Sequence, residues 1–277
     1  MVCWAQAGGP FAGRSSKSIA VAGGRKVGMR TSIKQAICSK GFLWSVLGFA
    51  MMMFASSASQ LVEAFRMKLL EYGFHGSFVL QALSSQGMTM VLPILCTLLY
   101  TASFFEDLKT GFIKAYLPRT TISKYISGKL AGCILSGGGS IALGILLSYG
   151  LSFLVFYPME LAPIEGWETP QYFAQLLQIL PLYFASGSLW AVFGMIMAAL
   201  TRNQYMAYAS PFILYYLLII LYERYFEFLY ILYPKQWLMP GEGWPFGNLG
   251  ALFWVMELLL LLCICFTILA RRRLKNV

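Results

Sequence analysis

The chain has 277 residues, 58% of them hydrophobic and only 12% charged, and its mean hydropathy is +0.67. That composition excludes an ordinary water-solvated globular protein and indicates a membrane protein. The formal charge of +10, from 21 Lys and Arg against 11 Asp and Glu, fits either a nucleic-acid binder or a chain whose cations sort to one membrane face, and their positions decide between the two.

Residues 1–28 are rich in Gly, Ala and Ser without apolar periodicity, and read as a disordered or non-native extension. Met29 opens a better helical run and is the expected translation start, so residues 29–277 read as one transmembrane domain. No apolar core of a secretory signal precedes the first span.

A helix needs roughly 20 mostly apolar residues to cross about 30 Å of hydrocarbon. Six stretches qualify: about Phe42 to Ser59, Gln86 to Phe105, Leu130 to Phe156, Leu176 to Leu200, Met206 to Leu221 and Gly250 to Ala270. The expected fold is therefore all-α and polytopic, because long apolar runs replace the alternation of a barrel strand. Pro93, Pro181 and Pro211 are expected to kink or interrupt their helices. Gly137, Gly138 and Gly139 in the third span suggest close helix packing.

The connections set the orientation. Seventeen of the 21 Lys and Arg fall at the N-terminus, between spans two and three, at Arg202 and in the C-terminal tail, which predicts both termini to be cytoplasmic. Arg66, Lys68, Arg224 and Lys235 fall on the other side, with Glu63, Glu71, Glu160, Glu165, Glu168, Glu223, Glu227 and Glu242. The charge thus records membrane orientation and contact with anionic membrane lipid, and no nucleic-acid partner is expected.

Three connections are more than simple loops. LVEAFRMKLLEYGF after the first span reads as an external amphipathic extension, with Leu61, Phe65, Lys68 and Leu69 at helical spacings and Glu63 paired with Arg66. The aromatic run from Glu223 to Gly247 reads as an interfacial belt or as a lid over an exit pathway. In FFEDLKTGFIKAYLPRTTISKYISGKL, Phe112, Ile113, Tyr116 and Leu117 form the apolar face of a short helix that Pro118 ends, and a basic helix with Lys124, Tyr125 and Lys129 leads into the third span. Such a helix lies on lipid or in a groove of a partner protein.

An inventory of reactive groups argues against an enzyme. His75 is the only histidine, which rules out multi-histidine zinc sites, and it reads as a surface residue of an external loop. Asp107 is the only aspartate, and ISGKLAG lacks the pattern of a Walker loop. Cys3, Cys38, Cys96, Cys133, Cys263 and Cys265 lie at the cytoplasmic end or inside spans, so no structural disulfide and no metal site is expected. Glu257 is the one ionisable residue well inside a span; it either snorkels to the outer interface or makes a polar contact in a bundle interface or pathway.

Six spans, an amphipathic N-terminal segment IKQAICSKGFLW and the loop beginning FFEDLKTG resemble the permease subunits of type-2 ATP-binding-cassette exporters. That family closes its second span with an acidic pair, follows it with a Gly, and opens the third with a basic R-x-x-x-x-K-Y-x-x-x-K-like stretch. Here Glu106, Asp107, Gly111, Arg119, Lys124, Tyr125 and Lys129 fill those positions. The architecture matches from about Met29 onward, and the motif matches in this loop.

The resemblance implies that the loop is a coupling helix, with Phe112 and Tyr116 on its apolar face, seated in a groove of a separate cytoplasmic ATPase subunit. It further implies an interfacial N-terminal helix, a re-entrant aromatic segment, and a second permease copy or paralogue. The expected function is export of an amphiphilic, drug-like or peptide substrate from a cell membrane, a bacterial plasma membrane. The resemblance also implies that this chain binds no cofactor of its own and that ATP acts through the partner. The competing expectation is a non-transporting scaffold or sensor that recruits a cytoplasmic partner through the basic loop.

Overall fold

Backbone groups shielded from water must pair within their own segment, which in a chain this apolar favours helices. A computed structural model describes residues 36–67, 69–113, 121–162, 171–226, 228–241 and 243–275. Among them the elements are all helical: α1 (Lys40–Ser56), α2 (Ala58–Arg66), α3 (Phe74–Ser84), α4 (Gln86–Thr97), α5 (Ser103–Lys109), α6 (Ile122–Phe156), α7 (Tyr172–Thr201), α8 (Tyr205–Arg224) and α9 (Gly247–Lys275). Helices α6 to α9 are each long and apolar enough to cross a membrane, and the bent pairs α1/α2 and α3/α4 raise the number to as many as 6 if each is one broken span. Between the helices lie turns, short 3-10 segments at Tyr157–Met159 and Tyr230–Leu232, and an isolated Leu70–Glu160 bridge.

The last four expected spans match α6 to α9, the first corresponds to α1 with a bend at its end, and the second is α4 and stops short. α2 bends 65° away from α1, and α4 bends 71° away from α3. Ser85 makes the second break: its side chain accepts from Met88 N at 3.3 Å, starting α4 as an N-cap while ending α3. The expected second span starts there, with α4, and is interrupted at residues 98–102, where the hydroxyls of Thr97 and Thr101 donate to the carbonyls of Ile94 and Thr97. Such local side-chain bonds compete with the helical ladder. Pro93, Pro181 and Pro211, by contrast, all lie within helices that run on through them.

The expected external extension is α2, although it stops at Arg66 and, among the described residues, Glu63 and Arg66 form no ion pair. The extension 1–28, Met29 and the first three residues of the N-terminal segment IKQAICSKGFLW lie outside the described residues, and its last five, from Lys40, belong to α1, which Ser39 caps.

Helix α7 forms the centre. Of its most apolar stretch 72% is buried, against 50% for α6, 28% for α8 and 17% for α9. The α6/α7 contact depends on glycine: a Cβ at Gly137 would lie 2.5 Å from the Ala191 Cβ and 3.0 Å from the Gly187 carbonyl oxygen. The Ser188 hydroxyl reaches across this seam to the Ile134 carbonyl at 3.0 Å and back to Phe184 O at 2.8 Å. A Cβ at Gly139 would meet only the Phe42 ring of α1, at an ordinary 3.9 Å, so only part of the glycine run is a tight packing seam.

With 35 residues, α6 is about 52 Å long at 1.5 Å per residue, well beyond the roughly 30 Å of the hydrocarbon core. The basic helix and the third span are therefore one rod. Its far end, Phe156, is fully buried and packs edge-on against Phe74 with ring centroids 5.2 Å apart.

Candidate coupling site

The loop motif begins on α5, a short helix held by one apolar anchor. Phe104 is fully buried and meets Phe266 of α9 edge-on at 5.1 Å, with the Tyr125 ring of α6 at 6.4 Å. This anchoring presents the acidic pair at the root of the loop. Asp107 Oδ2 accepts a hydrogen bond from the Tyr125 hydroxyl at 2.7 Å and pairs with Lys129 Nζ at 2.8 Å. Lys129 also donates to the Ser103 carbonyl at 3.3 Å and lies over the Tyr100 ring at 5.0 Å.

This ion pair is largely shielded, with side-chain exposures of 8% for Lys129 and 21% for Asp107. Burying an ammonium is costly unless it is paired and hydrogen-bonded, and here the carboxylate, a carbonyl and an aromatic face all serve it. Gly132 makes room for that face, since a Cβ there would come 2.9 Å from the Tyr100 ring. Glu106 points elsewhere: its carboxylate accepts from Gln204 Nε2 at 3.1 Å, tying α5 to the α7/α8 turn.

Gly111 sits at φ +69° immediately after α5, with its N–H bonded to Leu108 O at 3.4 Å. A left-handed residue just past a helix end favours glycine, which accounts for that motif position. Of the expected apolar face, Ile113 is buried within the bundle and Phe112 is 48% exposed. Lys124 is exposed, while Tyr125 and Lys129, on the same helix, face inward. Tyr116 and Arg119 lie outside the described residues.

The opposite end of the bundle carries a cluster with no local signal in the sequence. Glu160 Oε1 accepts from His75 Nδ1 and from the His75 backbone N–H, each at 2.7 Å, and Oε2 accepts from the Gly73 N–H at 3.1 Å. A carboxylate thus caps the N-terminus of α3 from a segment 85 residues away. The Tyr149 hydroxyl lies 3.3 Å from His75 Nε2, and the Phe153 ring meets the imidazole edge-on at 5.3 Å. His75 is therefore a packed and partnered residue with a 15% exposed side chain, not the expected surface histidine.

The aromatic segment after α8 is not simply a belt. Trp237, Leu238 and Trp244 are buried, and Trp237 stacks on Trp190 of α7 at 6.0 Å and 18°. Trp190 also meets mid-helix Tyr215 of α8 at 5.6 Å, so the segment turns back into the bundle. Phe228 and Phe246 remain outside, 74% and 90% exposed.

Glu257 is exposed on α9 among the exposed Phe253, Met256 and Leu260, and among the described residues it has no ion-pair partner. No group of three or more His, Cys, Asp or Glu among the described residues is placed to hold a metal ion. Comparison with family models, curated proteins and solved structures gives no match. The likeness to type-2 exporters rests on the loop and on the architecture.

Proposed function

We propose that this chain is the membrane-spanning permease subunit of a type-2 ATP-binding-cassette exporter, moving an amphiphilic, drug-like or peptide substrate across a bacterial plasma membrane while a separate subunit hydrolyses ATP. The observation that carries the reading is the Asp107–Lys129–Tyr125 junction, which fastens the lead-in helix of the motif loop to the base of a rigid rod. A displacement applied to the loop by a docked ATPase acts on α6 there. Because α6 is continuous to Phe156, the displacement reaches the His75–Glu160 cluster and α3 at the far end.

Termini in the cytoplasm follow from the same charge distribution. Lys109, Arg202, Arg272 and Arg273 line one cavity, which groups the ends of α5, α7 and α9 at the basic end of the bundle. A second copy or a paralogue completes the pathway and covers the α9 face that carries Glu257, and ATP-driven closure of the ATPase pair rocks the two permeases. The test is affinity purification of the tagged chain from its native membrane. Recovery of an ATPase with a Walker loop supports the permease; recovery of a cytoplasmic partner without nucleotide chemistry supports the scaffold reading instead.

A further inference from the structure

A cavity of about 540 Å³ opens at the basic end of the bundle between α5, the end of α7 and the end of α9. Phe105, Leu108 and Leu269 form its apolar wall, and Lys109, Arg202, Arg272 and Arg273 supply four cations. Among the described residues none of these four has a carboxylate within ion-pairing distance. The nearest acids on α5 are committed elsewhere, Glu106 to Gln204 and Asp107 to Lys129 and Tyr125.

Cations at helix C-termini are favoured by the helix dipole, and Arg273 uses one nitrogen in that way, donating to Leu200 O at 3.0 Å. That role does not account for four cations around one cavity, where Arg202 and Arg273 repel each other. Arg202 is also held at φ +53°, a left-handed conformation that side-chain-bearing residues rarely adopt and that glycine would take without strain. An anion at the centre relieves the repulsion, and guanidinium groups offer paired donors suited to phosphate oxygens.

We infer that this cavity binds the phosphodiester headgroup of an anionic membrane phospholipid, with the acyl chains leaving along the Phe105, Leu108 and Leu269 wall. Spanning helices that end at the cavity place it at headgroup depth, and a wall of apolar side chains suits a lipid better than a soluble phosphate. The inference requires only that the chain be membrane-embedded and stands apart from the transport reading.

The test is native mass spectrometry of the full chain in detergent, titrated with phosphatidylglycerol, with phosphatidylcholine and with inorganic phosphate. Phosphatidylglycerol is expected to be retained in preference to phosphatidylcholine, and R202Q/R272Q to weaken it by about thirtyfold while leaving phosphatidylcholine unchanged. R202K/R272K, which keeps the charge, retains the preference and separates a lost site from a misfolded protein. Equal retention of the two lipids overturns the inference, as does preference that survives R202Q/R272Q. Inorganic phosphate binding as tightly as phosphatidylglycerol overturns the lipid assignment in favour of a soluble anion. Loss of a co-purifying protein in R202Q/R272Q with lipid binding intact overturns it in favour of a protein contact.

Discussion

Lys129 places its ammonium 2.8 Å from the carboxylate of Asp107, joining the third turn of a membrane-crossing rod to the short helix in front of the motif loop. Removing one member leaves the other buried and unpaired, a loss of about 3 to 5 kcal/mol, whereas removing both as a unit is often close to neutral. Asp107→Ala is therefore expected to lower the thermal unfolding temperature of the detergent-purified protein clearly, and Asp107→Ala with Lys129→Met to restore most of it. Additive losses in this double-mutant cycle would show that the two charges do not act as a pair.

Tyr125 contributes a single hydrogen bond to the same carboxylate at 2.7 Å. A hydrogen bond to a charged group contributes about 1.5 to 3 kcal/mol, so Tyr125→Phe should destabilise less than Asp107→Ala while keeping the ring packing. Thermal unfolding of the two variants side by side checks the order.

The α6/α7 seam gives a sign test with two glycines of one helix. At Gly137 an added side chain meets Ala191 and a backbone carbonyl that cannot rotate away, and overpacking of this kind costs typically about 1 to 3 kcal/mol. Nothing lies within 4 Å of a Cβ built at Gly150, where replacing a helical glycine by alanine gains about 0.5 to 1 kcal/mol. Gly137→Val should lower, and Gly150→Ala raise, the unfolding temperature.

Glu160 receives three N–H groups at the start of α3. Glu160→Gln replaces one accepting oxygen by a donor and removes the charge, so the cap at the start of α3 is weakened. Hydrogen exchange at Gly73 and His75 should accelerate by about tenfold, equivalent to about 1.4 kcal/mol. Unchanged exchange would mean that the cap contributes nothing to holding α3.

Glu257 tests assembly. An acidic side chain turned towards lipid costs on the order of 3 kcal/mol near the bilayer centre, which a covering protein surface removes. A hydrophobic carbodiimide should modify Glu257 in dispersed monomers and fail to do so in the intact complex, with Glu257→Ala as the blank. Equal labelling in both states places this face in lipid.

Spans three to six were legible because each is an apolar run long enough to cross the membrane, and α6 to α9 reproduce them. The second span was misjudged in length because local hydroxyls set its ends: Ser85 ends one helix and caps the next, and Thr97 and Thr101 donate to carbonyls three and four residues back. Helix α3 went unread because at 11 residues it is too short for a span. At the candidate site, Asp107, Tyr125 and Lys129 were visible as motif positions, but their mutual contact was not. Tyr100, Gly132 and Gln204 carried no local signal, since each matters only through a neighbour from another element. His75 and Glu160 were seen separately as loop residues, because a partner 85 residues away leaves no periodicity to read.

Export by this chain requires that the loop and its junction couple an ATPase to the spans. The direct measurement is ATP-driven efflux of an amphiphilic dye from proteoliposomes containing the tagged chain and whatever ATPase purifies with it, for the wild type and for Asp107→Ala with Lys129→Met. An ATPase is expected to co-purify with both, the wild type to expel dye on addition of ATP, and the double variant to keep its ATPase but lose efflux. Absence of any ATPase, or efflux unchanged when the pair is removed, would contradict this coupling.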